Sequence, residues 1–136
     1  SIKKHEGFRN KVYKDTLGKR TIGYGHLCVE DWWEDDKEYT QAELERIFDK
    51  DFDKAKEGAS KLYEGCEIND TAKGVIIEMV FQLGTTGVSK FKNMWKALKE
   101  TPPNYSVAKI EMLDSRWAKQ TPNRAKELSN TIGGIA

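Results

Sequence analysis

The chain has 136 residues, a third of them charged, and a net charge of +1. That length suffices for one domain with a real hydrophobic core and no disulfide or metal staple. No apolar run approaches the ~20 residues of a membrane-spanning helix, and the two cysteines, Cys28 and Cys66, lack any CxxC or Cys/His spacing, so stable membrane insertion and a structural metal are not expected.

The start, Ser1-Ile2-Lys3-Lys4, carries neither an apolar leader nor an initiator Met, as expected of a chain that begins a few residues inside its gene. Ile2 to Gly7 reads as a short helix. Val12-Tyr13 and Lys19 to Tyr24, with a turn at Gly18, read as a small twisted hairpin and the only β-like stretch. Trp32-Trp33 lies in an acidic run with no helical or alternating period and reads as a loop with its indoles folded inward. Glu30 to Glu57 holds twelve acids against five bases, net −7, leaving +5 before it and +3 after it. A basic face outside that segment would suit an anionic polymer of any kind.

Thr40 and Glu43 have the spacing of a capping box, which opens a long helix with Leu44, Ile47, Phe48, Phe52 and Ala55 on one face and Gly58 as its stop. Asn69-Asp70-Thr71 offers N-caps for a helix apolar on nearly every side, running to Gly84 and forming the centre of the core. Further helices are predicted around Phe91 to Leu98 and Tyr105 to Trp117, and Thr121-Pro122 repeats the cap-plus-proline start of a last one.

Few chemistries fit the polar residues. Gly23-Tyr24-Gly25-His26 lacks the third glycine and following helix of a dinucleotide site, and neither His5 nor His26 sits in a nucleophile frame such as G-x-S-x-G. A carboxylate pair remains, Glu6 and Asp15, and a pair by itself says little among 22 acids. Its setting is informative. His5-Glu6-Gly7, Tyr13-Lys14-Asp15-Thr16 and Thr21-Ile22-Gly23-Tyr24-Gly25-His26 resemble the catalytic signature of the T-even phage lysozymes, glycoside hydrolase family 24: E-G, seven residues, D, five residues, T-x-G-x-G-H. The resemblance continues through Met79-Val80-Phe81-Gln82, Thr86-Gly87-Val88, Ser115-Arg116-Trp117 and Gln120 to Lys126, nearly the whole chain. It departs in the much shorter segment between His26 and Thr40 and where the last helix breaks off at Gly133-Gly134.

The resemblance implies a mostly helical α+β, lysozyme-like fold of two lobes in a single domain. A small hairpin-bearing lobe of about residues 8–57 is joined by the helix from Thr40 to a larger helical lobe of about 58–136, which also takes the N-terminal helix 1–7. A cleft lies between the lobes. The implied activity is peptidoglycan hydrolysis without a cofactor, at the β-1,4 bond between N-acetylmuramic acid and N-acetylglucosamine. It implies a monomer that binds a glycan strand and no nucleic acid, made in a host bacterial cytoplasm until released onto the periplasmic wall.

Cleaving a glycosidic bond needs one carboxyl to protonate the leaving oxygen and another, ionised, to help water or the oxocarbenium centre. The resemblance makes Glu6 the proton donor, with Asp15 and Thr21 facing the reacting carbon. It makes Leu27, Phe81, Gln82 and Arg116 saccharide contacts, pairs Arg124 with Glu6, and pairs His26 with Asp51. Each has a simpler reading. Asp15 suits a turn bonding its own backbone, Thr21 a strand, Leu27 and Phe81 core packing, Arg124 a solvated cation, and His26 a polar group satisfied without a carboxylate. Two other classes remain open: a catalytically silent peptidoglycan-binding module, against which the intact Glu6, Asp15 and Thr21 argue, and a basic nucleic-acid binder, which the near-neutral total disfavours.

Overall fold

The computed structural model describes residues 2–15 and 17–135; Ser1 and Thr16, both in stretches singled out above, lie outside it. The elements follow in the order α1 (Ile2–Glu6), β1 (Arg9–Lys14), β2 (Arg20–Gly23), β3 (His26–Leu27), α2 (Gln41–Tyr63), α3 (Asp70–Ser89), α4 (Lys92–Leu98), α5 (Tyr105–Leu113), α6 (Arg116–Gln120) and α7 (Pro122–Gly133). This is a mostly helical α+β chain, as the resemblance implies. The chain forms two compact units, divided between Lys54 and Ala55 inside α2.

In the first unit the expected hairpin gains a third strand, giving an antiparallel sheet in the order β1-β2-β3. Tyr13 stands opposite Thr21, Thr21 opposite Leu27, and Ile22 opposite His26, with an irregularity between Arg9 and Tyr13. Two residues are too few for β3 to show an alternating pattern. Helix α1 falls within this unit. Lys3 Nζ pairs with Glu45 of α2 at 2.7 Å and lies about 5 Å above the rings of Tyr24 and Phe48. Glu45 also accepts the Tyr24 hydroxyl at 3.0 Å. The buried core here is small: Ile22, Trp33, Tyr39 and Leu44.

Helix α2 opens as its cap predicts, with Glu43 N–H donating to Thr40 Oγ1 at 3.1 Å. It does not stop at Gly58 but runs on to Tyr63. A Cβ at Gly58 would press on Thr85 Oγ1 and stand 3.4 Å from Val80 Cγ1, so this glycine serves close packing of α2 on α3 and not termination.

The second unit is built around α3, whose buried Val75, Ile76, Met79 and Val80 meet the apolar faces of the later helices. Asn69 caps it by accepting from Ala72 N–H at 2.9 Å. The backbone leaves helical geometry at Gly84, where a break was expected, then resumes to Ser89. The single helix predicted for Tyr105 to Trp117 is two: Ser115 interrupts it and caps α6, its hydroxyl accepting from Ala118 N–H at 3.2 Å. A serine that can serve its own N-cap competes with helix continuation. Thr121 precedes Pro122 as predicted but does not cap α7 with its side chain; its hydroxyl donates to the Trp117 carbonyl at 3.1 Å. The buried Trp95 indole is satisfied by the Val88 carbonyl at 3.0 Å. Among the described residues no helix is long and apolar enough to cross a membrane.

Candidate active site

Glu6 is the last residue of α1, and the chain turns at once through Gly7, whose φ of +69° favours glycine and whose N–H donates to the Lys3 carbonyl at 3.0 Å. That turn lays the Glu6 carboxyl against the link between β2 and β3. Gly25 there has φ +83°, and a Cβ on it would collide with the Glu6 carboxylate, standing 2.9 Å from Cδ. The glycine of T-x-G-x-G-H is thus explained physically: backbone must approach this acid with no side chain between them.

Asp15 follows β1 and organises the turn to β2. Its Oδ1 accepts from Leu17 N–H and Lys19 N–H, both at 2.9 Å, while its own N–H donates to the Lys19 carbonyl at 2.9 Å. The turn reading of Asp15 is therefore realised, and it fixes the carboxylate through one oxygen. Thr21 is buried in β2, its hydroxyl donating to the Lys19 carbonyl at 3.0 Å, which leaves its lone pairs as acceptors. Tyr13, opposite Thr21, senses both acids. Burial pushes its phenol above the ordinary range, the Glu6 charge adds to this and Asp15 contributes, against the Arg9 guanidinium 4.9 Å over the ring. In the first unit Tyr13 thus stands opposite Thr21 and its phenol is raised by the charges of Glu6 and Asp15, a part that the signature's spacing did not assign to it.

Leu27, which pairs on β3 with Thr21 of β2, is 41% exposed, unlike a core leucine. The other expected contacts lie in the second unit. Phe81 packs half-buried on the core of that unit. Both ends of the Gln82 amide are used: Oε1 accepts from the buried Trp117 indole at 2.7 Å, and Nε2 donates to Thr121 Oγ1 at 3.3 Å. Gln82 therefore links α3 to α6 and the start of α7. Arg116 is exposed and lines, with Phe91, Met94, Glu111 and Trp117, a groove of about 460 Å³. Arg124, in the first turn of α7, is 8% exposed, so it is not the solvated cation of the simpler reading.

A model of the family described as phage lysozyme matches residues 3–131. The chain belongs to the phage lysozyme family. It is similar to probable T4-type lysozyme 2 of Dictyostelium discoideum, 30% identical over 93% of this chain and 88% of that protein, and to probable T4-type lysozyme 1 of the same organism, 31% identical over 96% and 90%. It also resembles the pre-baseplate central spike protein Gp5 of Enterobacteria phage T4, 29% identical over 96% of this chain but 26% of that protein. This member of the phage lysozyme family is a glycoside hydrolase of lysozyme type whose substrate is peptidoglycan.

The lysozyme signature ends in His26, which is held from two sides. Nδ1 meets Asp51 Oδ2 at 2.8 Å, the expected pair, and Nε2 meets Glu30 Oε1 at 2.9 Å. Glu30 also accepts the Trp33 indole N–H at 2.6 Å. Burial opposes charge on His26, but the two carboxylates outweigh it and hold its pKa above the ordinary value. Glu30 is also opposed by burial, yet its bonds to His26 and Trp33 hold it below the usual carboxylate range. Sequence reasoning missed Glu30 because a four-residue spacing implies contact on a helix, whereas this segment leaves β3 as a loop.

Proposed function

We propose that this enzyme cleaves the β-1,4 bond between N-acetylmuramic acid and N-acetylglucosamine with inversion, Glu6 acting as general acid. Glu6 gives its proton to the glycosidic oxygen as the C1–O bond breaks. A water attacks C1 from the opposite face and yields its proton to Asp15, so that an α-configured reducing end is released. Thr21 accepts a hydrogen bond from that water and fixes its line of attack. The observation carrying this reading is the collision of a Gly25 Cβ with the Glu6 carboxylate, on the unit whose sheet also bears Thr21 and whose β1–β2 turn bears Asp15.

Asp15 spends one oxygen on the turn, and the turn holds the carboxylate in one orientation, as a base acting through a positioned water needs. A retaining nucleophile would require carboxyl groups about 5–5.5 Å apart and no third group, whereas inversion leaves room for water at roughly 6.5–9.5 Å. Rapid NMR of the first products, before mutarotation, tests this: the α anomer is expected. An initial excess of the β anomer, or a trapped glycosyl ester on Asp15, would overturn it. We further read the biological role as lysis of a bacterial host by a phage, the enzyme being made in the host cytoplasm and released onto the periplasmic wall. Lysis of Gram-negative cells only after their membrane is opened by chloroform is the expected outcome; lysis of intact cells from outside would contradict it.

A further inference from the structure

The first unit carries a second concave surface that none of the catalytic candidates lines. The Trp32–Trp33 segment and the first half of α2 enclose a groove of about 470 Å³, lined among others by Trp33, Tyr39, Arg46 and Lys50. Its aromatic wall is continuous: Trp32 lies 5.9 Å from Trp33, and Trp33 lies 4.8 Å from Tyr39 edge to face. Only the inner part of that wall is explained by folding. Trp33 and Tyr39 are buried, whereas Trp32 leaves 60% of its surface to solvent beside the groove.

Its charge is also exceptional. The segment from Glu30 to Glu57 is net −7, yet the groove is lined by three cations, Lys37, Arg46 and Lys50, against one carboxylate, Glu43. Lys37 is occupied by Tyr39, 5.1 Å beneath its ammonium, and by Glu34 at 3.9 Å. Arg46 and Lys50, one helical turn apart, are exposed and form no ion pair among the described residues. A wide apolar ring face next to two uncommitted cations matches a ligand with an apolar sugar face and a nearby carboxylate, the combination that a peptidoglycan strand repeats along its length.

We infer that this groove is a second wall-binding site, taking a peptidoglycan strand with a sugar ring against the Trp32 indole and a stem-peptide carboxylate on Arg46 and Lys50. It rests on peptidoglycan being the substrate, and it is independent of which bond is cut. Such a site holds the enzyme on an insoluble polymer between cleavages, because a second contact raises the local concentration of strand at the first.

The test measures cosedimentation with purified sacculi in a Glu6→Gln background, so that the wall is not digested. Trp32→Ala is expected to weaken retention about tenfold, as loss of an aromatic anchor does. Arg46→Glu with Lys50→Glu should weaken retention and flatten its dependence on salt. With Glu6 restored, Trp32→Ala should cut short soluble glycans at the unmodified rate and sacculi more slowly. Unchanged retention in both groove variants would overturn the inference. So would the loss of a self-associated form in Trp32→Ala by sedimentation, which would give the groove to a second copy of the chain. Retention is read in the pellet and cleavage in the supernatant, so fragments released by the Glu6→Gln protein would remove Glu6 from the mechanism without touching the comparison.

Discussion

At the scale of single residues, the acids are separable from the turns that carry them. Glu6→Gln keeps the shape of the side chain but cannot donate a carboxylic proton, so turbidity clearing of cell walls should fall by ~10²–10⁴-fold with the fold intact. Asp15→Asn is the more discriminating change. The amide oxygen can still accept from Leu17 and Lys19, so melting temperature should hardly move while activity collapses. Full activity in a folded Asp15→Asn protein would return Asp15 to its turn role alone. Gly25→Ala should harm both properties, because its Cβ would need the space of the Glu6 carboxyl and its φ of +83° disfavours any side chain. A loss of about 1–3 kcal/mol is expected from the strained backbone, measured by urea unfolding.

At the scale of elements, the His26 clamp joins β3, the loop after it and α2 through Asp51, Glu30 and the Trp33 indole. The folded His26 pKa is raised, so its contribution is fully present below its unfolded value of about 6.5 and is lost as pH rises through the folded value. The folded Glu30 pKa is lowered, so its contribution is present above its unfolded value of about 4.3 and is lost as pH falls through the folded value. The clamp should stabilise most between roughly pH 4.5 and 6.5. Glu30→Gln should narrow the stability gained on descending from pH 8 to pH 6, and an NMR titration should find His26 closer to its ordinary pKa in that variant. An unchanged His26 titration would remove Glu30 from the clamp. A second element-scale contact is α2 on α3. Gly58→Ala should cost about 1 kcal/mol by overpacking against Thr85 and Val80, despite alanine's better helix propensity, and the added Thr85→Ala change should recover it.

At the scale of the whole molecule, the two units are unequally supported. The second has a core fed by α2 through α7, whereas the first buries Ile22, Trp33, Tyr39 and Leu44 and relies on polar clamps and aromatic contacts. Elements with little buried apolar surface open at lower free energy than the global transition. Native-state hydrogen exchange should find the slowest amides in α3 and α7 and a separate, earlier opening of β1 to β3. Uniform protection across both units would contradict this.

Local patterns determined much of this. The cap at Thr40, the cap at Asn69, the apolar α3 and the proline start of α7 are encoded within a few residues each, and so were the short α1 and the hairpin. Resemblance along the chain marked Glu6, Asp15 and Thr21, because the spacing of a motif survives in one dimension. What tertiary structure decided are the matters set by partners distant in sequence. Gly58 reads as a stop until Thr85 and Val80 are packed against it, and nothing in the sequence joins Gln82 to Trp117 and Thr121, which its amide bonds across 35 and 39 residues. The two tryptophans, which looked alike, part company because Glu30 and Tyr39 give Trp33 an interior partner for its N–H and its ring face, while Trp32 lies 5.9 Å from Trp33 and stays 60% exposed. A sequence carries the side chain's preference for burial; whether a site exists to bury it is a property of the folded neighbours.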